Sequence, residues 1–206
     1  GKHTEEAHAN LARKHLGRFG FPIGGGTDAF FTEFNRLGAP VRDLDFITYS
    51  INPQVHAFDN LSLVETLAMH ASTIETARYQ LALQGSGHLP IHVSPVTLKM
   101  RWNPNATSPD PEPPPGVLPT RVDPRQSSLF GAGWTLGSIK YLAEAGTDSV
   151  TYYETTGWLG VMATESGSPL HEQFHDTPGG VYPMWHVFKR IGGGEVIESK
   201  TSDSLK

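Results

Sequence analysis

The chain has 206 residues, 18% of them charged, and a formal net charge of −5, which suits one soluble globular domain with room for a core. Mild acidity without a Lys/Arg stripe excludes an electrostatic nucleic-acid binder, and no apolar run reaches the roughly 18 residues of a membrane span. Cysteine is absent, which excludes disulfides and thiolate sites and is compatible with a cytoplasmic location.

Ala7, Leu11 and Leu16 fall at helical spacing and predict a helix over His3 to Leu16, ended by Gly17 and Gly20. Phe21-Pro22-Ile23 reads as a short strand opening into a glycine turn, Gly24-Gly25-Gly26-Thr27. That turn is no phosphate loop, because no Gly-Lys-Ser/Thr follows it. Asp45 to Ile51 is rich in aromatic and β-branched residues and predicts a strand stopped by Asn52-Pro53. A helix is expected from Ser62 to Leu81, opened by a Ser62/Glu65 capping box and buried along Val64, Leu67, Ala71, Ile74 and Leu81.

Ile91 to Ser94 predicts another strand. The stretch from Arg101 to Pro124 is proline-rich and aperiodic, with a stiff Pro111-Glu112-Pro113-Pro114-Pro115 run; a loop of this length is expected to be functional or mobile. A helix over Leu129 to Ala145 closed by Gly146, a strand over Ser149 to Tyr153, and a helix over Val181 to Ile191 with Pro183 near its start complete the pattern. The tail from Glu195 holds a short β-like piece, Val196-Ile197, expected to begin a further β domain over 195–206 after a first domain over 1–194. Repeated strand-then-helix units require parallel strands, so the expected fold class is α/β.

In such folds, ligand sites lie at the C-terminal ends of the strands. Glu154 follows Val150-Thr151-Tyr152-Tyr153, where burial among aromatic residues would suit a general acid or base, against an even chance of a carboxylate held by loop amides. Glu33 is a second candidate, though an acid beside Asn35-Arg36 is also ready to form a surface ion pair. Asp28, Asn35, Arg36, Asn52, His56, Asp59, Tyr153 and Trp158 are expected to bind substrate. For His56 and Asp59 the competing expectation is an Asp that caps the following helix and a His packed on Phe58. His92 lies inside a strand and is expected in the core. His171-Glu172-Gln173-Phe174-His175 spells H-E-x-x-H, but nearby prolines and glycines predict a loop in place of the helix zinc would need. No metal site and no cofactor are expected.

Gly24 to Arg36, Ser50 to Asp59, His92 to Leu98, Asp123 to Gln126, Gly131 to Thr135 and Val150 to Trp158 together resemble the barrel domain of bacterial D-apionate lactonases. The resemblance implies the C-terminal half of a glycosidase-like (β/α)₈ TIM barrel, incomplete in this chain and followed by a β domain. A whole barrel needs roughly 250 residues. Gly1 would then begin near the third helix, and the missing N-terminal half or a second copy would close the barrel. The implied reaction is hydrolysis of a sugar lactone, D-apionolactone to D-apionate, in bacterial apiose breakdown. Glu33 would follow the fourth strand and Glu154 the seventh, and the two are expected to converge across the cavity, either one as base and the other as acid. Two other readings share this sequence: a retaining glycoside hydrolase with the same pair, and a non-catalytic barrel binding carbohydrate through Trp102, Trp134 and Trp158.

Overall fold

A computed structural model of the chain describes residues 2–38, 44–108 and 110–200. Its centre is a four-stranded sheet in the order β1-β2-β3-β4, formed by Gly24–Thr27 (β1), Phe46–Ile51 (β2), Ile91–Val96 (β3) and Ser149–Val150 (β4). All three pairings are parallel, as the alternating pattern required. The helices are α1 (Glu6–Leu16), α2 (Phe30–Leu37), α3 (Asn60–Glu65), α4 (Met69–Leu83), α5 (Leu129–Glu144) and α6 (Pro183–Arg190). Two short strands, β5 (Glu154–Thr156) and β6 (Gly160–Met162), pair with each other beyond the sheet. No helix among the described residues is long and apolar enough to cross a membrane.

Alternation along β2 sorts its side chains. Ile47, Tyr49 and Ile51 face the helical layer and join Ile91, Val93 and Val96 of β3 in the main core, with Phe34 of α2, Ile74 and Leu81 of α4, and Trp134 and Leu142 of α5. On β2's other side Phe46 stacks on His92, ring centroids 4.3 Å apart. His92 is therefore half-buried against a neighbouring ring and lies outside that core.

The glycine run is itself the strand, where a turn was expected. Gly24 lies under the Phe46 ring, and a Cβ on Gly26 would sit 1.7 Å from the Thr48 carbonyl oxygen. Only residues without side chains let β1 approach β2 this closely. The expected Ser62 cap is also displaced. Asp59 is the N-cap, its carboxylate accepting from the Ser62 amide at 3.0 Å and the Ser62 hydroxyl at 2.8 Å. The long helix is interrupted by a 3-10 turn, Thr66–Ala68, whose tighter winding shifts the phase of the apolar stripe. Leu63 is consequently buried in place of Val64, while Ile74 and Leu81 are buried as expected.

Ser128 caps α5 by accepting from the Gly131 amide. Strand β4 stops at Val150, short of the expected Tyr153. Val196-Ile197 forms no strand; residues 195–200 run without helix or strand, and Ser199 donates from its amide to Glu144 at 2.9 Å. Residues 201–206, the remainder of the expected second segment, lie outside the described part.

His70 of α4 is buried against Trp134 of α5, ring centroids 5.6 Å apart, and burial lowers its pKa to about 4. Between the ordinary value of 6.5 and about 4 the unfolded chain binds a proton that the folded one refuses. Stability should therefore fall as pH drops through that window, by up to about 3 kcal/mol. Urea midpoints at pH 7 and near pH 4.5 check this, and His70→Phe should flatten the difference.

Candidate active site

The C-terminal ends of β3 and β4 open into a cavity of about 230 Å³. Ser94, Pro95 and Thr97 form the β3 side, and Thr151, Tyr152, Tyr153 and Glu154 the β4 side. Lys99, just after β3, and Arg101, Arg121 and Asp123 of the proline-rich stretch add to the same walls. Lys99 donates to the Val122 carbonyl at 3.2 Å, which fixes its ammonium beside the cavity.

Beneath the cavity lies a buried polar network. Asp123 caps the 3-10 turn Pro124–Ser127 by accepting from the Arg125 amide. The Arg125 guanidinium returns to it through Nε at 2.9 Å and Nη2 at 2.7 Å, a two-point contact. Gln54, just beyond β2, donates to Asp123 at 2.5 Å and to the Leu98 carbonyl at 2.6 Å, and accepts from Arg125 at 3.0 Å. Burial would raise the Asp123 pKa, but the Arg125 and Gln54 hydrogen bonds outweigh it and hold the carboxyl below its ordinary value. Gln126 donates to the Gly160 carbonyl at 2.9 Å and ties β6 beneath the site.

Glu154 opens β5, its amide donating to the Leu159 carbonyl at 2.9 Å, and the residue is exposed, not buried as its aromatic neighbours suggested. The tyrosines before it take up the burial. Tyr152 hydrogen-bonds Ser138 at 2.8 Å and Tyr153 hydrogen-bonds Thr135 at 2.9 Å. Burial pushes both phenols well above their ordinary range. They anchor the cavity wall to α5 as neutral groups.

Glu33 does not line the cavity that holds Glu154. It is carried by α2, 9% exposed, with its carboxylate 3.0 Å from Arg36. On α2 the i, i+3 spacing places it beside Arg36, and the ion pair weighed as its alternative forms. Asn35 accepts from Gln80 of α4 at 2.7 Å, joining two helices. His56 is exposed and Asp59 caps α3.

Asp28 and Asn52 do stand at the strand ends. Together with Phe30, Ser50, Pro95, Thr97 and Arg101 they line a narrow crevice of about 10 Å³. Asp28 accepts from the Trp102 indole at 3.2 Å and lies 3.5 Å from Arg101. Trp158 lines a separate hollow with Ser168 and Asp176, its indole donating to Ser168 at 2.8 Å. Trp134 is 2% exposed in the core and offers no face to a sugar. His171 lies in a turn and His175 in irregular chain, with no helix between them, as the nearby prolines and glycines predicted; their ring centroids are 5.8 Å apart. Among the described residues no group of three His, Asp or Glu is placed to hold a metal ion.

Gln54, Lys99, Arg101, Arg121, Asp123 and Arg125, which line or underlie this cavity, were not among the expected catalytic or substrate-binding residues. The one available signal was the Asp-Pro-Arg-Gln run ending the long loop, where an Asp before Pro marks a capped turn.

The family model described as D-apionate lactonase, TIM barrel domain, matches residues 3–195. A D-apionate lactonase from Brucella anthropi is 32% identical over 181 residues, covering 85% of this chain and 28% of that protein. The chain therefore spans 28% of the length of this curated relative. Among solved structures, a monomeric beta-xylosidase from Caulobacter crescentus CB15 aligns with a TM-score of 0.52 at 12% identity, over 91% of this chain and 36% of that one. A glucosidase from Croceicoccus marinus aligns with a TM-score of 0.41 at 14% identity, over 84% of this chain and 30% of that one. The xylosidase likeness shows a shared fold and nothing of the substrate.

Proposed function

We propose, from the premise that this chain belongs to the D-apionate lactonase family through its TIM-barrel domain, that it forms the catalytic mouth of a sugar lactonase. The reaction is hydrolysis of D-apionolactone to D-apionate. The observation that carries this reading is the grouping of Lys99, Arg101 and Arg121 around one exposed carboxylate, Glu154, at the strand ends.

Lactone opening passes through a tetrahedral oxyanion and yields a carboxylate. Cations aimed at that charge stabilise the transition state and the product together. Glu154 takes a proton from water as the oxygen attacks the carbonyl carbon. The C–O bond to the ring oxygen then breaks, and the same proton passes from Glu154 to the departing alkoxide. One carboxylate suffices, which matches the placement of Glu33 on Arg36. Asp28 and Asn52 supply polar groups at the far end of the binding site, and Tyr153 shapes its wall. The barrel's remaining strands come from outside these residues, since β1 and β4 are the two edges of the sheet.

A retaining glycosidase needs two carboxylates roughly 5 Å apart, whereas Glu33 is paired with Arg36 and does not line the Glu154 cavity. Offering the protein D-apionolactone and a chromogenic glycoside separates the two chemistries. Acid release from the lactone without chromophore release is expected. Turnover of the glycoside alone would replace this proposal with the glycosidase reading.

A further inference from the structure

Asn52 follows β2 directly, and both its amide nitrogen and its amide oxygen are shut off from solvent with no hydrogen-bond partner among the described residues. Buried polar groups are nearly always satisfied, and Gln54, two residues on, makes every bond its amide can reach. The contrast singles Asn52 out. Its crevice, about 10 Å³, is at the lower limit for one water-sized group, roughly 10–15 Å³. Thr97 and Arg101 line both the crevice and the Glu154 cavity, so one ligand can reach into each. Phe30, at the crevice wall, holds a left-handed backbone (φ 68°) rare for a bulky residue, and its amide donates to the Ser50 hydroxyl at 3.2 Å. Such strain persists where the surroundings over-determine it, often at ligand sites.

We infer that the Asn52 amide reads a single substrate hydroxyl and so selects hydroxylated lactones over unsubstituted ones. A hydroxyl both donates and accepts, and an amide offers one group of each kind. Asp28 adds a second acceptor in the same crevice. With the lactone carbonyl beside Glu154, a ring hydroxyl extends past Thr97 into the crevice. A lactone lacking that hydroxyl leaves the amide unsatisfied, which is the strongest form of discrimination a polar site can make. This inference rests on the lactonase reading and names the feature of the substrate that the site recognises.

The test compares kcat/KM for a hydroxylated five-carbon aldonolactone and for γ-butyrolactone, in the wild type and in Asn52→Leu, which keeps the volume and removes both polar atoms. Preference for the hydroxylated lactone should fall by roughly 10–100-fold, with Tm held or raised because two unsatisfied buried groups are gone. Asn52→Ser gives the same readout if the leucine variant does not fold. An unchanged preference, or equal losses on both lactones, overturns the inference. If the wild type opens neither lactone, the lactonase reading fails separately. Calorimetry with the open-chain polyhydroxy acid then decides: binding lost in Asn52→Leu keeps the subsite, and binding absent or unaffected removes it.

Discussion

Glu154→Gln should lower kcat for D-apionolactone by about 10²–10⁴-fold, the usual contribution of a positioned general base, with little change in KM. Glutamine keeps the shape and the hydrogen-bonding oxygen but cannot carry a proton between water and alkoxide. Because Glu154 is exposed and its side chain opens onto the cavity, the replacement disturbs no packed neighbour, so Tm should stay within experimental error. A fall in kcat with constant KM is the signature of a group acting in the transition state alone. Glu33→Gln provides the contrast: it breaks the pair with Arg36 and should act on stability while sparing kcat. Near-full kcat in Glu154→Gln, or a collapse of kcat in Glu33→Gln at unchanged Tm, would remove Glu154 from the role of sole base.

Asp123→Ala should destabilise the protein by about 3–5 kcal/mol, the usual cost of removing one partner from a buried ion pair. The Asp123 side chain is 2% exposed and that of Arg125 20%, so truncation leaves a guanidinium facing the methyl group of alanine. Gln54 loses an acceptor in the same step. Because hydrogen bonding lowers the Asp123 pKa below the ordinary 3.8, the pair's contribution is complete above that value and disappears as pH falls through the lower folded one. Urea midpoints at neutral pH measure the loss. The double replacement Asp123→Leu with Arg125→Met should be less damaging than Asp123→Ala, since no charge is stranded. A double variant as unstable as the sum of its parts would show that the two residues do not act as a unit.

The order of strands and helices was legible because periodicity and glycine or proline punctuation act locally. Strand Phe46–Ile51 and helix Leu129–Glu144 fall within a residue of their expected bounds. Features that depend on a neighbour were not legible. The glycines of β1 read as a turn until the Phe46 ring and the Thr48 carbonyl are seen to occupy their side-chain space. Two caps competed for one helix start, and the carboxylate at Asp59 prevailed over the hydroxyl at Ser62. Asp28 and Asn52 directly follow β1 and β2, as their place in the sequence suggested, whereas Glu154 lies four residues beyond the end of β4 and opens β5. Glu33 lies on α2, a helix the sequence did not announce, which starts at Phe30 and sets its carboxylate beside Arg36. The cationic wall was hidden because Lys99 follows β3 outside any regular element, and Arg101 and Arg121 reach the cavity through an aperiodic loop that has no sequence rule for its path.

The attachment of Ser199 to Glu144 has a practical use. Glu144 ends α5 just ahead of Ser149, where β4 begins, so this contact marks the rim remote from Glu154. A tether, fluorophore or resin joined near Lys200 therefore projects from the far rim and leaves the mouth free for substrate. Immobilised protein oriented this way should keep its affinity for soluble ligands, whereas coupling through Lys99 would place the support in the doorway.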